Sequence, residues 1–190
     1  MSNPVLDAIA RRDSCRSFTS QPVSRADLDA LALAAVSAPS ARGLEPWRIV
    51  CVTDQALISD ISNAALQLMA RHEPSAYEKF SAKLKTSIFY EAPVVFVIAT
   101  RRTWDYVSEE LDAGIVAENI ALAATGLGLG SLINGYSTQA FRDQKSDVAA
   151  ELYERLGIPR EYAVTISVAV GHPDEPSTPH QPDPSKVHFI

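Results

Sequence analysis

Apolar positions along the chain repeat with two periods, one helical and one typical of strands. Leu28, Leu31, Ala32, Ala35 and Val36 recur at the spacing of one face of an amphipathic helix. Leu57, Ile58, Ile61, Ala64, Ala65, Leu68 and Met69 do the same, and Val5, Leu6 and Ile9 mark a shorter helix over Pro4 to Arg12. Ser24 with Asp27 resembles a capping box at the start of the second helix, with Asp in place of the usual Glu or Gln. Ile49 to Thr53 is a short β-favouring run, and Pro93 to Ala99 a continuous apolar one, which predicts a central strand buried on both faces. Tyr162 to Val170 alternates, with Val164, Ile166, Val168 and Val170 expected on one side and smaller residues on the other. That pattern suits a sheet covered by helices on both faces.

Other stretches read less simply. His72 to Tyr90 is more polar and predicts a looser helix whose Lys79, Lys83 and Lys85 face solvent. Ser108 to Leu127 predicts a helix with Glu118 and Asn119 as its polar residues between Ala113 and Ala124, hence one enclosed all round. So complete an enclosure hints that a second subunit covers part of it, and a buried Glu118 needs a partner. Phe141, Val148, Leu152 and Leu156 predict a further helix ended by Gly157 and Pro159. From Gly171 the chain becomes proline-rich and extended, and Val187 to Ile190 can add as a strand to its own sheet or a neighbour's.

Composition narrows the partners. A chain of 190 residues with 46% hydrophobic content is expected to form one domain over 1–190. A net charge of −6 argues against nucleic acid and anionic membrane as partners. No run approaches the roughly 18 apolar residues of a membrane span, and the N-terminus does not read as a signal peptide. Cys15 and Cys51 are expected as reduced thiols in a cytoplasmic protein.

Candidate chemistry lies in the connectors. In Arg12-Asp13-Ser14-Cys15-Arg16-Ser17-Phe18, an extended backbone projects Arg12, Ser14 and Arg16 to one side, a cradle suited to phosphate. The plainer alternative is a solvated basic helix end. Ala38 to Trp47 holds two prolines, Gly43, Arg42 and Trp47, and is either a rigid turn or a ligand wall. Gly126-Leu127-Gly128-Leu129-Gly130 is not a dinucleotide fingerprint, because its glycines end a helix and lead into a strand; they suit a helix cap and close packing. Ser131 to Tyr136 is a short strand ending at Asn134-Gly135. His72, His172, His180 and His188 lack metal-ligand spacing, and neither a nucleophile elbow nor a P-loop occurs. What remains suits a flat, phosphorylated cofactor that brings its own chemistry.

Taken in order, these segments resemble the nitroreductase family of FMN-dependent oxidoreductases. Arg12 to Phe18 resembles its R-x-S-x-R-x-F element, and Ala38-Pro39-Ser40 through Pro46-Trp47 its A-P-S-x-x-N-x-Q-P-W loop. Asp112 to Leu122 with Gly126 to Ser131 resembles the long core helix and its exit; Leu156-Gly157-Ile158-Pro159 and Val170-Gly171-His172-Pro173 resemble the closing segments. The resemblance implies an α+β fold with a mixed or antiparallel sheet flanked by helices, in an intertwined homodimer whose C-terminal arms exchange. It implies that Arg12, Ser14 and Arg16, with Asp13 among them, surround the FMN phosphate. Pro39, Ser40, Ala41, Arg42 and Gly43 then cover the flavin from the other subunit, and Leu132, Ile133, Asn134 and Gly135 lie along its ring. His180 is the nearest match for a C-terminal phosphate contact. The implied activity is ping-pong transfer of hydride from NADH or NADPH, through the flavin, to a nitroaromatic, a quinone or a similar small acceptor. Alternatives on the same fold are an FMN-dependent oxidase or desaturase of a small metabolite, and a flavin-sequestering protein without turnover. Gly43, Leu44 and Glu45 depart from the family's Asn, small polar residue and Gln, which removes an amide from the flavin edge and adds a negative charge.

Overall fold

The computed structural model describes residues 3–82, 87–101, 109–143, 145–175 and 177–190. Lys83, Lys85, Ser108 and the side chain of Lys79, named above, lie outside this description. Six helices are described: α1 (Pro4–Arg11), α2 (Arg25–Val36), α3 (Gln55–His72), α4 (Pro74–Ser81), α5 (Glu109–Gly126) and α6 (Asp147–Leu156). Four strands are described: β1 (Trp47–Val52), β2 (Val94–Arg101), β3 (Gly130–Asn134) and β4 (Tyr162–Gly171). Short 3₁₀ turns occupy Ala41–Gly43, Tyr136–Phe141 and Pro184–Lys186.

Helix boundaries follow from local chemistry. Asn3 Oδ1 accepts from the Val5 and Leu6 N–H groups, and Pro4 sits where a missing N–H costs nothing. Asp54 and Ser146 cap α3 and α6 in the same way. At α2 the Ser24 hydroxyl accepts from the Asp27 N–H at 3.1 Å. The Asp27 carboxylate in turn accepts a hydrogen bond from the Ser24 hydroxyl at 2.7 Å, which is half of the expected capping box. α6 ends where Gly157 turns left-handed, at φ 64°.

The strands form one antiparallel sheet in the order β1-β2-β4-β3, as expected for an α+β fold. β2 is central and buried on both faces, as its unbroken apolar run predicts. Val94, Phe96 and Ile98 pack toward α2 and α5, while Val95, Val97 and Ala99 pack toward α3, α6 and the 136–141 turn. Each of these Val, Ile and Phe side chains, fully enclosed, contributes about 1.5–3 kcal/mol. The alternation expected for β4 breaks at Val164. Register steps from Ile98 opposite Ile166 to Ala99 opposite Val164, so Thr165 is bulged and Val164 joins the other core. Phe141 also departs from expectation: it belongs to the 3₁₀ turn before α6 and meets the Tyr153 ring edge-on at 5.3 Å, while Val148 faces solvent. The stretch expected as one loose helix to Tyr90 instead holds α4, then a turn at 87–91 with Tyr90 and Glu91 left-handed.

α5 is not enclosed all round within one chain. Leu111 and Ile115 are 68% and 38% exposed, and the Glu118 side chain is 44% exposed rather than buried. α1 buries no residue, so Val5, Leu6 and Ile9 present an apolar face to solvent. Val187, Phe189 and Ile190 are exposed too, and the C-terminal segment adds no strand to its own sheet.

Candidate functional site

The N-terminal segment leaves α1 at Arg12, whose backbone turns extended. It then lies across the ends of two strands. The Cys15 N–H donates to the Ser131 carbonyl at 2.9 Å, the Thr19 N–H to the His172 carbonyl at 2.9 Å, and the Asp174 N–H to the Ser17 carbonyl at 3.0 Å. Two glycines, Gly130 and Gly171, face each other in the β3–β4 register and make this close approach possible. A Cβ on Gly130 would stand 2.8 Å from both Cβ and Sγ of Cys15, and one on Gly171 only 2.5 Å from Pro93 Cδ. Close packing is thus the role of at least the last glycine of the 126–130 run.

Cys15 is pressed inward and buried, so Ser14 and Arg16 on either side of it point outward. Burial pushes the Cys15 thiol above its ordinary value of 9.0, and the nearby Asp13 carboxylate adds to this. One Arg16 Nη donates to the Ser14 carbonyl at 3.3 Å. Arg12 places its Nε 3.6 Å from Glu118 Oε1, so Glu118 finds its partner in a residue of the cradle. With Arg12 and Arg16 standing beside Asp13 and Glu118, the cradle is formally neutral, which weakens its pull on an anion.

This segment is pinned to the open edge of β3. In an antiparallel ladder each residue's N–H and C=O point the same way, and Ser131 points outward to Cys15, so Ile133 presents its own N–H and C=O to the same edge. From Ser131 to Asn134 that edge runs about 10 Å at the usual strand rise. The structure therefore brings Arg12, Asp13, Ser14 and Arg16 to one end of an edge that runs on to Ile133, whereas Gly135 lies just past the strand in helical backbone with its carbonyl accepting from the Thr138 N–H. Leu132 and Asn134 turn inward: Leu132 joins the core beside α3, and the Asn134 side chain is buried.

Pro39 to Gly43 sits elsewhere. Trp47 is buried against α2 and α5 and begins β1, the edge opposite β3 and three inter-strand spacings, about 14 Å, away. The loop is held at three points. The Ala41 N–H donates to the buried Asp112 carboxylate at 3.1 Å, the Glu45 N–H to Ser40 Oγ at 2.9 Å, and the Arg101 N–H to the Pro46 carbonyl at 2.9 Å. Arg42, Gly43 and Glu45 all take left-handed backbone, at φ 56°, 65° and 46°. Two of these are not glycine, so the tether has to offset a conformational cost of about 1–2 kcal/mol per residue. His180 lies exposed on the C-terminal segment. Asp112, Ser137 and Ser167 escape sequence reading. Asp112 reads as an ordinary acid in a first helical turn, and the serines as the small face of a strand or turn.

Among the described residues, no three His, Cys, Asp or Glu side chains converge as a metal site. The Ser14 hydroxyl and the Arg12 and Arg16 guanidinium groups near one end of a strand edge, with outward backbone groups of Ile133 along it, are groups chemically suited to a planar cofactor bearing a phosphate.

The nitroreductase family model matches residues 9–172. A crystal structure of a nitroreductase with bound FMN from Desulfitobacterium hafniense superposes with a TM-score of 0.92 at 35% identity, covering 100% of both chains. An FMN-dependent nitroreductase from Clostridium difficile gives 0.82 at 27% identity, again over 100% of both. An NADPH-flavin oxidoreductase from Vibrio harveyi is 31% identical over 181 residues, 92% of this chain and 68% of that protein. The chain belongs to the nitroreductase family, whose chemistry is flavin-dependent oxidoreduction.

Proposed function

We propose that this protein is an FMN-dependent enzyme that passes reducing equivalents from NADH or NADPH to a small acceptor, a nitroaromatic or a quinone, by a ping-pong course. One observation carries the reading: the Arg12–Arg16 segment is pinned to the open edge of β3 at Ser131, with the outward groups of Ile133 farther along that edge. Bound FMN supplies the hydride and electron transfer. Arg12, Ser14 and Arg16 hold its phosphate, and the β3 edge orients its ring through backbone groups. No protein side chain is assigned as an acid or a base.

The same geometry supports completion of the site by a second copy. The loop at Pro39–Gly43 lies at the opposite edge of the sheet, and the apolar faces of α1 and α5 are uncovered. We assign these faces to a homodimer interface, with the 38–47 loop closing the partner's flavin site and the C-terminal arm, His180 included, laid on the partner. Among the described residues no helix is long and apolar enough to cross a membrane; we place the protein in the cytoplasm.

The purified protein should be yellow, or turn yellow on adding FMN, and the flavin band should bleach anaerobically with NADH or NADPH and return when a quinone is added. A colourless protein that takes up no FMN refutes the cofactor assignment. A yellow protein that neither nicotinamide bleaches refutes the electron donor and favours a flavin-sequestering or oxidase role.

A further inference from the structure

We infer that Asn134 is a positioning residue: its buried amide locks the end of β3 to the turn at 87–91 and thereby fixes where that strand's outward N–H groups meet the flavin. The inference rests on the β3 edge being the flavin seat. Asn134 is 4% exposed, and both ends of its amide are engaged inside the protein. Its Nδ2 donates to the Ile88 carbonyl at 2.6 Å, and its Oδ1 accepts from the Tyr136 N–H at 2.8 Å. Its own carbonyl accepts from the hydroxyls of Ser137 at 3.2 Å and Ser167 at 3.1 Å, and these two hydroxyls lie 2.8 Å apart. Ile88 is held from its other side, its N–H donating to Ser62 Oγ on α3 at 3.1 Å.

Four of these hydrogen bonds converge on the last residue of β3, and they tie it to β4, to the 136–141 turn and to the 87–91 turn. The last of these keeps Tyr90 and Glu91 in left-handed backbone at φ 54° and 62°, a state that persists only where the surroundings over-determine it. Asn134 directly follows Ile133, so any shift of its amide moves the outward groups of that residue. A hydrogen bond loses strength steeply once its angle falls, and a small shift is enough to weaken contacts along the edge.

The contact needs a donor at one end and an acceptor at the other. An amide supplies both, a protonated carboxyl also supplies both, and an ionised carboxylate supplies acceptors alone. The partners of Asn134 are backbone groups and serine hydroxyls, so a carboxyl introduced there is the one group in the contact that titrates. Asn134→Asp and Asn134→Leu, in the full chain, separate the possibilities. FMN is titrated by flavin fluorescence from about pH 4.5 to 8, with circular dichroism confirming the fold at each pH and the visible spectrum of the bound flavin recorded. Asn134→Asp should bind FMN close to wild type while its carboxyl is protonated. As it ionises, affinity should weaken about tenfold with a shifted flavin band. Asn134→Leu should be weak throughout. In the FMN-free protein, amide exchange at Tyr136 should quicken in Asn134→Asp at the upper pH. Ser167→Ala leaves the amide in place and removes one donor to its carbonyl; it should weaken FMN binding a few-fold, and it carries the test if Asn134→Asp does not fold. Wild-type affinity and spectrum in Asn134→Asp across the range overturn the assignment, as does an equal loss in both Asn134 variants at both pH limits. Wild-type affinity in Ser167→Ala, should Asn134→Asp be unfolded, overturns it too. A wild-type chain that takes up no FMN overturns the reading of the site and this assignment with it.

Discussion

Gly130→Ala tests the cradle through its foundation. The added Cβ would sit 2.8 Å from Cys15 Cβ and Sγ and 3.4 Å from Phe18 Cε1. Carbon atoms in comfortable contact stand about 3.5–4.0 Å apart, so roughly an ångström has to be found. Cys15 cannot rotate its Cβ away, because that atom is fixed to the backbone, so the 14–18 segment itself has to lift. Overpacking of this kind costs about 1–3 kcal/mol. Restricting the unfolded chain by replacing a glycine returns about 0.4–1 kcal/mol. A net loss near 1–2 kcal/mol lowers Tm by roughly 2–8 °C in a chain of this size. The same lift moves Ser14 and Arg16, so FMN affinity should drop by more than the stability loss alone accounts for. Thermal melts and FMN titrations of Gly130→Ala, Cys15→Gly and the double variant form the cycle. In the double variant the clashing atoms are gone, and part of both losses should be recovered. A Gly130→Ala protein within 1 °C of wild type that binds FMN equally well refutes the reasoning, and so does a double variant with no recovery.

Further outcomes follow from other contacts. Arg16→Ala should lower FMN affinity about tenfold, as expected for one charge-assisted contact at an exposed site, and the dependence of binding on salt should flatten with it. Asp112→Leu removes the acceptor that tethers Ala41, whereas Asp112→Asn keeps an oxygen in place; proteolysis within 38–47 should quicken in the first and stay near wild type in the second. For the Cys15 thiol, the folded protein holds the proton more tightly than the unfolded chain does, because burial disfavours the thiolate. Its contribution is fully present below the ordinary value of 9.0 and is lost as pH rises from there through the raised folded value. Urea melts between pH 8 and about 10.5 should show wild type losing stability more steeply than Cys15→Ala; parallel slopes would remove Cys15 as the cause.

Much of the architecture is legible in the sequence. The unbroken run of β2 could only be a central strand, and the chemistry at Arg12–Arg16 stood out because two arginines flank a hydroxyl. What stayed hidden depends on pairing rather than pattern. Alternation along β4 is a local property, but the bulge at Thr165 is set by register against β2, so Val164 could not be assigned a face in advance. Glu118 reads as buried because its sequence neighbours are apolar, yet it lies on the helix face turned toward Arg12. The family resemblance places Asn134 along the flavin, but the partners of its buried amide and carbonyl come from residues 88, 137 and 167, which no local window contains.

The placement of loop and cradle on opposite edges of the sheet has a genetic consequence. In the proposed two-fold dimer, each flavin site takes its cradle from one copy and its loop from the other. A chain crippled at Arg16 and a chain crippled at Ala41 each fail when pure, but their defects fall on different halves of a site. Equal mixing after dissociation gives about half mixed dimers, and each of these has one site assembled from two unaltered halves and one site damaged twice. About a quarter of all sites should therefore recover from two inactive preparations, a fraction that reports how the halves are shared between subunits.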